Sequence, residues 1–425
     1  MACKFALVAL TLGALACTPA FCLDGSRSKP GRNAGQQADL LPLDGQQYSF
    51  FGQSIAVSGD TVVVGSPGYS DGMGNEVPGY AYVFVKPSTG WMNMIQTAEL
   101  KASDQGNEAG NGFGTSVAIA GDTIVVGAPG VSEVYVFVKP AGGWENMTET
   151  SIVTDNFNGT DAFGCAVAIN ASGNIIVVGA DEAEMARGVA YLAVEPSDGW
   201  PSLVAPTAFL TASDGVRNDL FGNAVAIDGR TVVVGAFDKP YPESYGAVYV
   251  FVEPATGWTD MTQTAELNAA VPILGGSLGT SVAILGNTVA AGAYGGTRSQ
   301  PAGNVYVFVE PGGGWQNMTE TAQLTDGNTV EDDLGSSVAM NDYGILAGAP
   351  LDTVNGNTQQ GSDYAFLKPK AGWKSTSKFS LRLTATYGAI GDRLGTSVAI
   401  GPGNVVSGAP GANGVGEAYV FFRKQ

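Results

Sequence analysis

One short pattern recurs seven times along the chain, and this repetition constrains the fold more than any other feature. Each copy begins with a Phe-Gly or Leu-Gly step, followed by a small polar pair and an apolar segment. The seven steps are Phe51-Gly52, Phe113-Gly114, Phe163-Gly164, Phe221-Gly222, Leu278-Gly279, Leu334-Gly335 and Leu394-Gly395. Their glycines lie 50 to 62 residues apart. The sequence therefore predicts one repeat architecture rather than several unrelated domains.

Each unit contains four short segments typical of β-strands, which we name a to d. In the fourth unit they are predicted at residues 223–227, 231–235, 247–252 and 265–268. A Pro-x-x-Gly-Trp turn follows strand c in six units, and these turns contain all six tryptophans of the chain. A lone four-stranded sheet cannot bury its faces, so neighbouring copies must pack against one another.

The two ends of the chain indicate that the units close into a ring. The seventh unit stops after its strand c, at residues 417–422, whereas residues 37–41 match the strand d segment at residues 97–101. We therefore predict an all-β fold, a seven-bladed β-propeller of four-stranded antiparallel blades. The N-terminal strand joins the C-terminal blade, which removes two exposed sheet edges.

The unit resembles the FG-GAP repeat, which forms the seven-bladed propeller of integrin alpha chains and of many bacterial surface and secreted proteins. The match is literal where Phe113-Gly114 is followed by Gly127-Ala128-Pro129, and close where Leu394-Gly395 is followed by Gly408-Ala409-Pro410. It covers nearly all of residues 37–425. The resemblance implies a propeller of the integrin alpha-like kind, a cell-surface or secreted location and a protein-binding role. A fold alone does not specify an activity.

The resemblance also implies calcium, but the residues depart from the family pattern. Many members carry an Asp-x-Asp-x-Asp-Gly loop between strands a and b, whose carboxylates bind calcium. Here these links are short, as in Ser58-Gly59-Asp60 and Ala120-Gly121-Asp122. We expect tight hairpin turns with glycine at a positive φ, and no cofactor at this position.

Charge and composition restrict the partners. The net charge of −19 disfavours nucleic acid and anionic membranes, because both need a basic protein surface. The chain has no histidine, so the commonest general base is missing. We expect an unknown protein or glycan ligand and no membrane insertion beyond a signal or a lipid anchor.

The N-terminal residues predict export from the cytoplasm. Residues 1–16 read as a signal peptide, with Lys4, an apolar run and a small-x-small cleavage pattern. Lipidation at Cys17 is the alternative, and residues 17–36 read as a flexible linker before the propeller at residues 37–425. The predicted location is secreted, periplasmic or cell surface.

The order of the strands separates two faces of the ring. The a–b and c–d links lie on one face, the lower face, and repeat almost unchanged. The b–c and d–a links lie on the other, the upper face, and vary between units, which is typical of recognition. Candidate ligand-binding residues on this face are Tyr69, Asp71, Tyr241, Tyr245, Tyr294 and Arg298. The alternative is that these are loop residues that pack on each other.

An acidic residue precedes the Phe-Gly or Leu-Gly glycine by three positions in four units. These candidate metal ligands are Asp161, Asp219, Asp332 and Asp392. Four carboxylates around one channel mouth would bind a cation such as calcium. The alternative is that each side chain accepts hydrogen bonds from backbone N–H groups in its turn.

A binding, adhesion or scaffold module is the function that the repeat favours, because no unit has an outlying catalytic cluster. A carboxylate-dependent hydrolase or lyase acting on glycans, with Asp332 and Asp333, is one alternative. A purely structural surface component is another. The tryptophans are interpreted as hydrophobic corners rather than sugar platforms, and Cys165 as a small buried residue rather than a nucleophile.

Overall fold

The computed structural model describes residues 35–70, 76–104, 106, 108–155, 161–295, 303–328 and 332–422. Over these residues seven antiparallel sheets each place their main strands in the order a, b, c, d. The a strands contact one another in sequence, and the seventh contacts the first. The chain is therefore a closed seven-bladed β-propeller, with the a strands around a central channel and the d strands outside.

Each blade contributes one strand of each kind, in order from blade 1 to blade 7. The a strands are Ser54–Ser58, Ser116–Ala120, Ala166–Ile169, Phe221–Asp228, Ser281–Leu285, Ser337–Asn341 and Ser397–Gly401. The b strands are Thr61–Ser66, Thr123–Ala128, Ile175–Ala180, Thr231–Ala236, Thr288–Ala293, Gly344–Ala349 and Asn404–Ala409. The c strands are Tyr80–Val85, Glu133–Val138, Val189–Val194, Ala247–Val252, Asn304–Val309, Ser362–Leu367 and Glu417–Phe422. The d strands are Ala98–Leu100, Ser151–Thr154, Ala208–Thr211, Ala265–Asn268, Ala322–Leu324, Leu381–Leu383 and, for blade 7, Gly35–Leu41.

The N-terminal strand completes the last blade, as the chain ends predicted. Ala38 pairs with Val420, and Leu40 pairs with Ala418, in an antiparallel ladder. The strand begins at Gly35, two residues before the start of the predicted propeller. The predicted signal peptide, Cys17 and nearly all of the predicted linker lie outside the described residues.

Hydrophobic packing occurs between the blades. Seven clusters of buried side chains each join two neighbouring blades. In the cluster between blades 7 and 1, Phe51 packs on Tyr82, with ring centroids 5.5 Å apart, and Val420 of blade 7 belongs to the same cluster. Strands b and c are buried on both faces, which explains their continuous apolar runs such as Val62-Val63-Val64.

The tryptophans belong to these clusters between blades. All six are buried, with 4 to 8% of their surface exposed. Trp91 of blade 1, for example, packs in the cluster shared with blade 7. They are thus hydrophobic corners, as interpreted from the sequence, but each joins its blade to the preceding blade rather than only strand c to strand d.

The residue two positions after each tryptophan also connects its blade to the preceding blade, through a hydrogen bond to that blade's strand d. Asn93 Oδ1 accepts a hydrogen bond from the backbone N–H of Asp39 at 3.0 Å, and Asn146 Oδ1 accepts one from Glu99 at 2.9 Å. In four blades the adjacent residues also form a short strand parallel to the preceding d strand. These short strands are Met94–Ile95, Leu203–Val204, Met261–Thr262 and Met318–Thr319.

Among the link residues that the structure describes, there is little further regular structure. Tyr69–Ser70 pairs with Glu76–Val77 in the b–c link of blade 1. A short 3-10 turn covers Ala412–Gly414. The segment Ala183–Ala186 has a helical hydrogen-bond pattern, but Glu184 and Met185 have left-handed φ angles of 52° and 63°, so it is an irregular turn. In the part of the chain that the structure describes, none of these helical segments has the length and apolarity to cross a bilayer.

Candidate functional site

A left-handed residue precedes the Phe-Gly or Leu-Gly step in every blade. Its carbonyl accepts a hydrogen bond from the N–H of the third residue that follows, as from Gln53 to Phe50 at 3.1 Å. The φ angles of these residues lie between 54° and 73°. They are Phe50, Gly112, Ala162, Leu220, Ser277, Asp333 and Arg393. The backbone is the same in all seven blades while the side chain differs.

Three of these variable residues border one cavity of about 820 Å³, which side chains from four consecutive blades line. Its lining includes Phe50 of blade 1, Tyr294 of blade 5, Asp333 of blade 6 and Arg393 of blade 7. The lining also includes the residues that immediately precede the inner strands of these four blades, which are Gln53, Thr280, Ser336 and Thr396. The cavity therefore lies at the upper mouth of the central channel. We name it the channel-mouth cavity.

The chemistry of this cavity is mixed. Arg393 is exposed, and its guanidinium forms no hydrogen bond or ion pair with any described residue. Tyr294 is half-buried, and burial, followed by the charge of Asp333, raises its pKa. Phe50 contributes an aromatic ring that packs edge-on to Tyr69, with centroids 6.3 Å apart. A cation, an anion and two aromatic rings therefore border one space.

The structure brings some of the predicted ligand-binding residues together. Tyr294 lines the channel-mouth cavity. Tyr69, which is 38% exposed, does not line it but packs against the ring of Phe50, which does. Tyr241 is exposed and Tyr245 is half-buried in the b–c link of blade 4, and neither lines this cavity. Asp71 and Arg298 lie outside the described residues.

Sequence reasoning missed Phe50 and Arg393, and it named Asp333 only as a catalytic alternative. Each of the three stands directly before the repeated Phe-Gly or Leu-Gly step. The available signal was the contrast between a constant neighbour and a residue whose charge and size change from blade to blade. That contrast shows variability, but it does not show which way the side chain points.

The four predicted metal ligands are all buried in their turns, with 1 to 6% of their surface exposed. Each accepts a hydrogen bond nearby: Asp161 from Ser132 Oγ (2.6 Å), Asp219 from Val216 N (2.8 Å), Asp332 from Leu334 N (3.1 Å) and Asp392 from Ala389 N (2.6 Å). Within the described ranges, no three Asp, Glu, Cys or His residues are grouped so as to hold a metal ion. None of the four therefore belongs to such a group among the described residues, and cation binding stays a prediction.

Asp332 and Asp333 are neighbours in sequence but line different cavities. Asp333 lines the channel-mouth cavity, whereas Asp332 lines a cavity of about 290 Å³ beside blade 6, together with Asp326 and Arg382. Burial, followed by the charge of Asp326, raises the pKa of Asp332 to about 7. The close carboxylate pair is thus Asp326 and Asp332, not the pair that the sequence suggested.

The lower face carries the short turns that were predicted. Gly59, Gly121, Gly229 and Gly286 have φ angles of 55° to 58°, and each begins a two-residue link between strands a and b. These links offer no series of carboxylates at the position where the resemblance implied calcium.

Fold and site together define a class of protein: a closed β-propeller with a uniform lower face and a chemically varied cavity on its upper face. Comparison with protein families identifies FG-GAP repeats at residues 34–84, 94–137 and 206–251. Each match begins in the region of a d strand and ends in strand c of the next blade. Blade 7 is divided at the same point, because its strand d comes from the N-terminal part of the chain and its strands a to c from the C-terminal part. Three segments of the chain thus match the FG-GAP repeat, and the fold is a seven-bladed β-propeller, in agreement with the resemblance to the integrin-like propeller. A search of the curated proteins found no match.

Proposed function

We propose that this protein is an extracytoplasmic binding module that recognises a protein or glycan on its upper face, at the channel-mouth cavity. An FG-GAP propeller is suited to binding or scaffolding, and the N-terminal sequence supports export. The cavity is chosen because side chains from four blades border it.

A single observation carries the proposal. The residue before each Phe-Gly or Leu-Gly step has a constant left-handed backbone but a variable side chain, and three such residues border the cavity. A constant frame with variable chemistry is what a recognition surface requires. Aromatic rings and arginine are also the residue types enriched where proteins bind partners.

Arg393 gives the proposal a charge preference. The chain carries a net charge of −19, yet this exposed guanidinium has no acidic partner among the described residues. Arginine binds carboxylates and similar anions through paired N–H donors. We therefore expect the part of the ligand that contacts Arg393 to be anionic.

Capture from the native extracellular fluid tests the proposal. The purified protein, with and without a divalent-cation chelator, is used as bait, and bound molecules are identified by mass spectrometry. Dissociation constants are then measured for the wild type, Arg393→Glu and Phe50→Ala. We expect each substitution to weaken binding by about tenfold or more.

Lys374→Glu is the matched control, because Lys374 is exposed on the lower face beside Trp373. It changes the net charge equally and should leave affinity unchanged. A ligand that binds the Arg393→Glu variant as tightly as the wild type would contradict the proposed site. Failure to capture any ligand would favour a purely structural surface component.

The carboxylate pair of blade 6 supports a second candidate, hydrolysis or elimination on a glycan. Asp332 keeps its proton up to a pH of about 7 beside Asp326, and both line a cavity with Tyr364. A neutral carboxylic acid next to a second carboxyl group is the combination that glycosidases use. If a glycan is turned over, Asp332→Asn should abolish turnover while Asp333→Asn, which alters another cavity, should preserve it.

A further inference from the structure

The third residue of strand c is a tyrosine in every blade. In blades 4 and 6 a cationic side chain lies over the ring of this tyrosine. In blade 4 the ammonium of Lys239 lies 4.7 Å from the ring centroid of Tyr249. In blade 6 the guanidinium of Arg382 lies 5.7 Å from the ring centroid of Tyr364. Cations are attracted to the faces of aromatic rings, most strongly where water is excluded.

Acidic side chains hold both cations in place. Lys239 forms ion pairs with Asp214 and, at 3.0 Å, with Glu266. Arg382 pairs with Asp352 at 2.5 Å, and the hydroxyl of Tyr364 donates to the same carboxylate at 2.8 Å. Each site therefore combines a tyrosine ring, at least one carboxylate and a cation that comes from the chain itself.

Blade 3 has the same tyrosine but a small residue where blade 4 has its lysine. Lys239 stands three residues after the end of strand b, and Ala183 occupies that position in blade 3. The position of Arg382, which pairs with Tyr364 in strand d of blade 6, is held by Phe209 in blade 3. A cavity of about 400 Å³ opens beside Tyr191, lined by Asp161, Ala183, Glu184, Val189, Phe209 and Thr211. We name it the blade 3 cavity.

The electrostatics of this cavity resemble those of the two occupied sites. Burial, followed by the charge of Asp155, raises the pKa of Tyr191, and the charges of Asp161 and Glu184 add to this. Asp161 is 6% exposed and accepts hydrogen bonds only from neutral groups, Ser132 and the backbone of Phe163, among the described residues.

Two further features shape the cavity. Arg187 lies 3.5 Å from Glu184, but it does not line the cavity. Phe209 stands edge-on to Tyr191, with centroids 5.3 Å apart, and is 41% exposed, so one aromatic wall reaches solvent.

We propose that the blade 3 cavity binds a cationic alkylammonium or guanidinium group from outside the chain. The ring of Tyr191 and the carboxylates of Asp161 and Glu184 would receive it as Tyr249, Asp214 and Glu266 receive Lys239. A lysine or arginine side chain of a polypeptide and a free small amine share this chemistry. The site is separate from the channel-mouth cavity, so its test does not depend on the ligand proposed there.

Titration calorimetry with small probes tests the charge requirement. The full protein should bind n-butylammonium and n-butylguanidinium, whereas the uncharged 1-butanol should bind about tenfold more weakly or not at all. Equal binding of 1-butanol would overturn the proposal, because it would show that the pocket selects only apolar chains. So would the absence of heat from either cation at millimolar concentration.

Ala183→Lys supplies the missing cation from the chain and should abolish binding of both probes. Ala183→Met fills the same space without charge and is the matched control for stability. The lysine variant should melt at a higher temperature than the methionine variant at pH 7, since only its ammonium gains carboxylate partners. Unchanged probe binding in Ala183→Lys, or equal melting of the two variants, contradicts the proposal.

The reverse substitution offers a second test that does not alter blade 3. Lys239→Ala should open a similar cavity beside Tyr249 and create a second n-butylammonium site, which Lys239→Met should not. A stoichiometry that stays at one in Lys239→Ala would count against the shared recognition chemistry of the two blades.

Two capped pentapeptides distinguish the sources of the cation. They are Gly-Gly-Lys-Gly-Gly and its norleucine analogue. Tighter binding of the lysine peptide than of n-butylammonium supports a polypeptide partner, and equal binding supports a free amine as the ligand. Binding of the norleucine peptide as tight as that of the lysine peptide would overturn the cation site in either form.

Discussion

The hydroxyl of Ser397 in blade 7 donates a hydrogen bond of 2.7 Å to the carbonyl of Gly52 in blade 1. The same contact joins Ser54 to Gly114, Ser116 to Gly164, Ser281 to Gly335 and Ser337 to Gly395. In the remaining two blades Cys165 and Asn223 contact the equivalent carbonyls of Gly222 and Gly279. A ring of seven polar contacts therefore surrounds the channel, and its last member closes the circle.

The N-terminal strand should stabilise the fold as much as an internal strand does. Leu40 in this strand and Leu100 in strand d of blade 1 are both fully buried at equivalent positions. We expect Leu40→Ala and Leu100→Ala each to lower the free energy of unfolding by about 2 to 5 kcal/mol. Equilibrium unfolding in urea measures both, and a neutral Leu40→Ala would show that the ring is open in solution.

The glycine that follows the apolar run of strand b is required by close packing. A Cβ at Gly127 would lie 2.1 Å from the carbonyl oxygen of Gly164 in the next blade. Gly127→Ala should therefore force the blades apart and cost about 1 to 3 kcal/mol or more. Gly142 has no neighbour within 4 Å of its added Cβ, so Gly142→Ala should change stability by less than about 0.5 kcal/mol. Equal melting temperatures for the two variants would refute the packing argument.

Asp363 should make the protein less stable as pH rises. It is fully buried between blades 6 and 7, where Ser407 Oγ donates to it at 3.1 Å, and burial raises its pKa to about 8. Below a pH of about 4 this carboxyl is neutral in both the folded and the unfolded chain. Between about pH 4 and 8 the unfolded chain releases the proton first, so this residue lowers the free energy of unfolding by up to about 1.4 kcal/mol per pH unit.

Asp363→Ala removes this dependence. The equivalent residues of the other blades are apolar, such as Ala81 and Val134, so the substitution fits the surrounding packing. The variant should gain stability relative to the wild type progressively from about pH 4 to pH 8, measured by urea unfolding at several pH values. Asp198→Ala, at an exposed position, should follow the wild type. A constant difference between Asp363→Ala and the wild type would exclude the titration.

Cys165 should react slowly in the folded protein. Burial, followed by the charge of Asp181, raises the pKa of its thiol, and the thiolate is the reactive form. Alkylation by iodoacetamide at about pH 8, followed by mass spectrometry of the peptide that contains Cys165, should be slower in the native protein than in urea. Cys165→Ser should retain normal stability, because a hydroxyl can also donate to the Gly222 carbonyl. Equal native and unfolded rates would show an accessible, ordinary thiol.

The number of blades, the strand order and the ring closure were all predictable from the chain. Each depends on local signals: an apolar run ends at a glycine, a turn precedes a tryptophan, and the segment before the first repeat matches the strand missing from the last. Such signals recur at a similar spacing, so seven copies support one another. The strands predicted in unit 4 agree with the structure, except that strand a extends to Phe221–Asp228 and strand b to Ala236.

The candidate sites were less predictable, because the direction of a side chain depends on its backbone angle and its neighbours. Asp332 and Asp333 show this most clearly. Asp333 has a left-handed φ of 56° and lines the channel-mouth cavity, while Asp332 is held by the N–H of Leu334 and faces blade 6. Sequence adjacency could not separate the two carboxylates.

The chain by itself determined the repeat, the positions of the strands within each repeat and the way the two ends complete one sheet. These features depend on hydrophobic periodicity and turn residues, which act over a few neighbouring positions. Only the tertiary structure decided which side chains share a space. Phe50 and Arg393 are far apart in sequence, yet both border one cavity because ring closure places blades 7 and 1 side by side. Likewise, a single small residue, Ala183, leaves a cavity beside Tyr191 where Lys239 covers the equivalent ring in the next blade.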